Sequence, residues 1–253
     1  MGFSPSILIV VALAECWLLL AVPVFAQPSL TERVVRPIGA EDGSLVVYSG
    51  LSQSHLRFVV AMLARSARVP IGFEEVAQEP QKDDGDIAKV PIAQRTTLIG
   101  LTIARALDAL VAADPRYSWR EYDDVLVIRP VGAWRDPTHF LHETLGPIEL
   151  KAKRGIDIVG DLYDQKGLPM KWSEGGMLGD PPQRGRDLNV PISVTLPSAT
   201  VLDVLNGITK SHGQLSWLIE YSRADAEFRY SCVLLITFEG KFVGIGPTAC
   251  SGY

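Results

Sequence analysis

Val69-Pro70-Ile71-Gly72-Phe73 and Leu168-Pro169-Met170-Lys171-Trp172 decide how this chain is read, because they open a series of matches that returns in the same order about 100 residues later. Val90-Pro91-Ile92 meets Val190-Pro191-Ile192, and the trio Ala104, Leu107, Leu110 meets Leu202, Leu205, Ile208. Ser118-Trp119 meets Ser216-Trp217, and Glu121-Tyr122 meets Glu220-Tyr221. After a longer hairpin in the second copy, Val125-Leu126-Val127-Ile128 meets Val233-Leu234-Leu235-Ile236. Six ordered matches describe a chain built twice from one unit.

Working outward, residues 45–48 are β-rich, and Leu56, Val59, Val60, Leu63 and Ala67 recur at helical spacing behind a Ser52 or Ser54 cap. Residues 69–73 read as a strand, 78–86 as a polar loop, and 90–93 as a further strand. Leu98, Leu101, Ala104, Leu107, Leu110 and Val111 form a second helical stripe that Asp114-Pro115 ends. Residues 117–122 and 125–128 are strands joined by Asp123-Asp124, a two-residue turn. The second copy reads as a strand at 148–151, a short helix at 156–165, a strand at 168–172 and a Gly- and Pro-rich loop at 173–188. A helix from Pro197-Ser198 to Thr209, stopped by Gly213, and a hairpin of 215–221 with 232–238 complete it.

The expected fold class is therefore α+β, two tandem copies of a β-α-β-loop-β-α-β-β unit with small sheets and helices on one face. The expected organisation is a signal peptide at 1–26, an extension at 27–44, a first unit at 45–130, a linker at 131–147, and a second unit with a tail at 148–253.

The combination of Ala106-Leu107-Asp108-Ala109-Leu110, Tyr117-Ser118-Trp119 and Val125-Leu126-Val127-Ile128 resembles the secretin and TonB-receptor N-terminal short domain and related secretin N-domains. In the second copy Val204-Leu205 with Ile208, Leu215-Ser216-Trp217 and Val233-Leu234-Leu235-Ile236 carry the same pattern, so the resemblance covers most of 45–238. It implies a periplasmic, noncatalytic module that contacts other proteins.

Residues 7–25 are apolar except for Glu15 and end in Val24-Phe25-Ala26, so cleavage after Ala26 is expected. A retained anchor is the alternative, since about 19 residues can also cross a bilayer at a cost of a few kcal/mol for Glu15. Those 26 residues carry Glu15 and no Lys or Arg, so of 29 acidic and 24 basic side chains 28 and 24 remain, a net charge of −4. No strongly basic face follows, and nucleic acid is not expected as a partner. The expected partners are envelope or extracellular proteins, with no membrane span after cleavage.

Cys16 leaves with the leader, and Cys232 and Cys250 remain as a pair in an exported, oxidising setting, so a disulfide between them is expected. Closing that loop contributes on the order of 3 kcal/mol by chain entropy.

His139-Phe140-Leu141-His142-Glu143 offers part of a zinc site, but it lacks the His-Glu-x-x-His order and a third ligand, and reads as linker polarity. Asp83-Asp84-Gly85-Asp86 lacks the alternation of a calcium loop and reads as a solvated tip, and Asp161 and Asp164 read as an exposed helix face. Trp119, Trp172 and Trp217 are expected in the core, with Trp134 either packing between domains or meeting a partner. Tyr221, Phe228 and Tyr230, with Trp134, are the expected partner-binding aromatics. No catalytic residue, metal or cofactor is assigned. The alternative function is a small extracytoplasmic hydrolase or metal-dependent enzyme that uses the inter-domain cleft and the linker histidines.

Overall fold

The computed structural model describes residues 29–38, 45–76, 90–154, 157, 171–176, 190–221, 232–238 and 241–246, with the backbone alone described for 171–176 and 241–246. Among these the chain is an α+β protein whose strands and helices follow in the order β1 (Val46–Val47), α1 (Gln53–Ala67), β2 (Ile71–Glu74), β3 (Thr96–Thr97), α2 (Ile103–Ala113), β4 (Tyr117–Tyr122), β5 (Val125–Pro130), β6 (Thr144–Arg154), β7 (Lys171–Gly176), β8 (Pro191–Thr200), α3 (Val201–His212), β9 (Leu215–Glu220), β10 (Cys232–Thr237) and β11 (Lys241–Gly246).

Local chemistry sets the helix ends. Ser52 accepts from the His55 N–H at 3.2 Å to start α1. Thr102 does the same for Arg105 at α2, and Thr200 forms a reciprocal capping box with Asp203 at α3. Gly213, at φ 73°, ends α3 in the left-handed conformation that favours glycine. Asp123 and Asp124 both have positive φ, the geometry of the tight turn between β4 and β5.

The strands do not stay in two separate small sheets. Seven form one sheet in the order β4-β5-β2-β9-β10-β11-β7. Strand β2 has parallel neighbours on both sides, β5 of its own unit and β9 of the following one, and the remaining pairs are antiparallel. Each unit also has a two-stranded sheet beside it, β1 with β3 and β6 with β8.

The sheet is covered on both faces. Leu126 and Ile128 of β5, Leu218 of β9 and Leu234 and Ile236 of β10 join α1 and α2 in one core. Val125, Val127, Trp217, Ile219, Val233 and Leu235 join α3, β6 and β8 in the other. Unbroken apolar runs such as Val125-Leu126-Val127-Ile128 belong to strands buried on both faces. The join between the units depends on Gly72, where an added Cβ would lie 2.2 Å from the Trp217 ring. The Trp217 indole N–H reaches Asn206 Oδ1 at 2.8 Å on α3.

Several expectations change: the helices cover both faces of the sheet rather than one, and residues 173–176, expected in a loop, belong to strand β7. The strand expected at 90–93 is a short 3-10 turn, Ile92–Gln94, followed by β3. The helix expected from Pro197-Ser198 begins at Val201, because residues up to Thr200 extend β8 along β6. The stretch 131–147 is structured rather than a simple linker: Arg135 N donates to Gly132 O at 3.0 Å, Phe140–His142 is a 3-10 turn with Leu141 fully buried, and β6 starts at Thr144. Of the expected helix at 156–165, Asp157 alone lies within the described residues and is helical. The extension is packed as well: Val35 is buried and its N–H donates to Leu101 O at 2.9 Å.

Candidate functional site

Strands β5, β2 and β9 are parallel neighbours, so their carboxyl ends lie side by side along one margin of the sheet. Each apolar run ends there in charge: Arg129 on β5, Glu74-Glu75 at β2, and Glu220-Tyr221 at β9. Ligand sites of open α/β sheets form at this margin.

Arg129 and Glu74 are fully buried, at 0% and 1% exposure. Arg129 Nε donates to Glu74 Oε2 at 2.6 Å. Its other nitrogens donate to His142 Nε2 at 2.9 Å, His139 Nδ1 at 3.0 Å and Ala133 O at 3.3 Å. His142 uses its Nδ1–H on Asp136 O at 2.8 Å, which leaves Nε2 as the acceptor that Arg129 meets. His139 Nδ1 also accepts from the Leu141 N–H, so its proton is on Nε2, 2.7 Å from Glu74 Oε1. The Tyr221 hydroxyl donates to the same oxygen at 2.8 Å. Trp134 closes the site: both the Arg120 and the Arg129 guanidinium stack on its ring, at 4.6 and 4.9 Å.

Burial alone would raise the Glu74 carboxyl, but the hydrogen bond from His139 and the charge of Arg129 hold it below the usual range. The Tyr221 phenol is pushed up, first by burial and then by the Glu74 charge. On the opposite face of the sheet, Glu75 lies 2.9 Å from Arg57 Nε, and the same guanidinium contacts Glu220. Burial, with the Glu220 charge added and Arg57 opposing, raises Glu75 to about 7.

The two linker histidines expected to offer a partial zinc site do converge, but on a guanidinium. A cation already bonded to Glu74 takes the two ring lone pairs that a metal would need. Among the described residues no group of three or more His, Cys, Asp or Glu is arranged to hold a metal ion. Tyr221, expected as a partner-binding aromatic, is partly buried and its hydroxyl is held on Glu74 Oε1. Trp134 packs where the two units meet, and its indole N–H is 3.4 Å from Ser118 O. Trp217 is buried as expected and Trp119 is half-buried against α2. Cys232 is buried on β10, while Cys250, Phe228, Tyr230, Asp83, Asp84, Asp86, Asp161, Asp164 and the Trp172 side chain lie outside the described residues.

Sequence reasoning missed Glu74, Glu75, Arg129, Arg57 and Glu220. A signal existed, in that three apolar strands each end abruptly in a charged residue. It becomes readable only once the strands are known to be parallel neighbours. Comparison of the chain with protein-family models, with curated proteins and with solved structures gave no match.

Proposed function

We infer that this chain is an exported, noncatalytic protein-binding module of the cell envelope, of the kind its resemblance to secretin N-domains implies. The observation that carries the reading is the outer strand β4, which has no second neighbour among the described residues. The tight Asp123-Asp124 turn makes Tyr122 and Val125 a hydrogen-bonded pair, so the backbone N–H and C=O of Glu121 point away from β5. That edge is flanked by exposed Arg120, Glu121 and Tyr122, and a partner strand can pair with it. The buried cluster supports the same reading, since Glu74, Arg129, His139, His142 and Tyr221 spend their bonding groups on one another.

The export signal at 1–26 and the Cys232–Cys250 bond are part of this proposal. Thiol labelling of the exported protein without reductant is expected to find no free cysteine, and two labelled thiols would remove that part.

A photo-crosslinking residue at position 121, expressed in the native envelope, should give discrete protein adducts, with none from position 151 on β6. With the crosslinking residue moved to exposed position 120, proline at 121 should abolish the adducts and leave the melting temperature within a few degrees, because proline is tolerated where the N–H faces outward on an edge strand. Adducts equal at positions 121 and 151 would refute the edge.

The enzyme reading has one observation in its favour, the direct contact of His139 with Glu74 at the carboxyl ends of parallel strands. Stoichiometric metal in the purified protein, lost in His139→Ala, would favour it over binding.

A further inference from the structure

Residues 131–143, which join β5 to β6, have no apolar period, so their own sequence does not hold them to the sheet. A single guanidinium does. Arg129, near the end of β5, donates to Ala133 O, His139 Nδ1 and His142 Nε2 and stacks on Trp134, while its Nε stays on Glu74. The strap fastened in this way seats Phe140 and Leu141 in the second core, where both are buried, and packs its 3-10 turn against α3.

The sensitive point of the strap is His142. Its Nδ1–H is spent on Asp136 O at 2.8 Å, so Nε2 meets Arg129 as a bare lone pair. A proton on Nε2 would set donor against donor and cation against cation across 2.9 Å, and the contact would turn from attraction to repulsion. His139, whose ring centroid is 5.8 Å away, meets the same conflict at Nδ1, but its Nε2–H lies on the Glu74 carboxylate, which offsets an added charge. Imidazole is the side chain whose charge ordinarily changes between about pH 5 and 8, so mild acid acts on this contact before it acts on carboxylates.

The other charged groups around the strap do not reverse the conflict. Burial raises the Glu74 carboxyl on β2, but the His139 bond and the Arg129 charge hold it below the usual range, so it stays ionised and stays on Arg129. Tyr221 beyond β9 is pushed up by burial and stays neutral. Arg120 of β4 brings a second cation to Trp134. Asp136 and Glu143, the strap's own carboxylates, are exposed and half-buried, where water weakens their pull on the ring. On α3, Asp203 is bonded to Thr200 and Tyr122, and Lys210 to Asp123 and Asp124. His212 ends that helix, whereas the strap meets its start, where the Val201 N–H donates to Glu143 O.

We propose that His142 is an acid-released catch: protonation at Nε2 frees residues 131–143 from Arg129 and uncovers the seat of Phe140 and Leu141 on the second core. The inference is independent of what pairs with β4. The closed strap holds the ring neutral and the open strap lets it bind a proton, so opening takes up one proton and is favoured as pH falls. Glu75, on the other face, has the opposite sign, since its neutral form belongs to the folded state, and it cannot imitate the effect.

Hydrogen exchange of the full chain between about pH 7.5 and about pH 5, corrected for the intrinsic rate at each pH, tests this. Protection of the His142 and Glu143 amides, which donate to His139 O and Phe140 O, should fall by up to about tenfold per pH unit while α1 stays protected. His142→Gln, whose amide oxygen can accept from Arg129 without taking a charge, should keep the strap protected at both ends of the range. His142→Lys places a permanent cation before Arg129 and should leave the strap open at both ends. Protection in α1 shows for each variant that the chain is folded, and the two substitutions are expected to act in opposite directions, so one misfolded variant leaves the other informative. Strap protection unchanged by pH in the wild type, a pH slope that survives in His142→Gln, a closed strap in His142→Lys, or a loss on acidification that includes α1 equally would each overturn the proposal.

Discussion

Glu74 and Glu75 are neighbours in sequence, both buried, and their carboxyls are driven in opposite directions. Glu74 has Arg129 largely to itself, with hydrogen bonds from His139 and Tyr221 added, so its charged form is favoured. Glu75 shares one guanidinium, Arg57, with Glu220, and burial with the second carboxylate favours its neutral form. Alternation along the strand turns the two side chains to opposite faces of the sheet, and the cation available per carboxylate decides the rest.

The comparison breaks most readily at Arg129. Arg129→Ala would leave Glu74 buried without its cation, and by analogy with broken buried pairs should cost roughly 3–5 kcal/mol, a drop of about 10 °C or more in melting temperature. A loss below about 1 kcal/mol would mean that the cluster is not held by this pair.

The pH dependence sharpens it next. Glu75 is raised from its unfolded value of 4.5 to about 7, so the folded state binds the extra proton between those values. Stability should therefore fall as pH rises through that window, by on the order of 3 kcal/mol, and Glu75→Gln should flatten the curve. Glu74 is lowered, so its contribution is present above 4.5 and lost as pH falls through the folded value. Glu74→Gln should consequently be most harmful near neutral pH. Urea midpoints measured from pH 4 to pH 8 separate the two, and equal slopes for both variants would contradict the asymmetry.

Tyr221→Phe removes one hydrogen bond to the ionised Glu74 and should cost about 1.5–3 kcal/mol. The smallest effect is expected at Lys210, whose ammonium bridges Asp123 and Asp124 at 2.8 and 2.6 Å on the surface, where Lys210→Met should change stability by less than about 1 kcal/mol. An effect at Lys210 larger than that at Tyr221 would show that the tie between α3 and the β4–β5 turn, rather than the cluster, holds the units together.

What could be read early was local. Ser52 as a cap, Gly213 as a stop, Asp123-Asp124 as a tight turn and the stripe Leu56, Val59, Val60, Leu63 all concern residues within a few positions of one another. The start of α3 was misplaced because residues just before Val201 are drawn into a strand by β6, about fifty positions earlier. Residues 131–143 carry one glycine, one proline and no period, and are ordered by Arg129, Trp134 and the sheet margin rather than by their own propensity. The cluster itself was hidden by distance along the chain: Arg129 and Glu74 are 55 positions apart, and Tyr221 and Glu74 are 147.

By itself the sequence determined the α+β class and the local elements within it, because periodicity and turn chemistry are properties of short segments. Only the tertiary structure decided that the two sheets merge through β2 and β9 and that the units present opposite faces. It also decided that the charged ends of three strands meet at one margin. Those outcomes depend on which edges pair, and the pairing depends on the shape of one contact, the Trp217 ring over a residue with no side chain at Gly72.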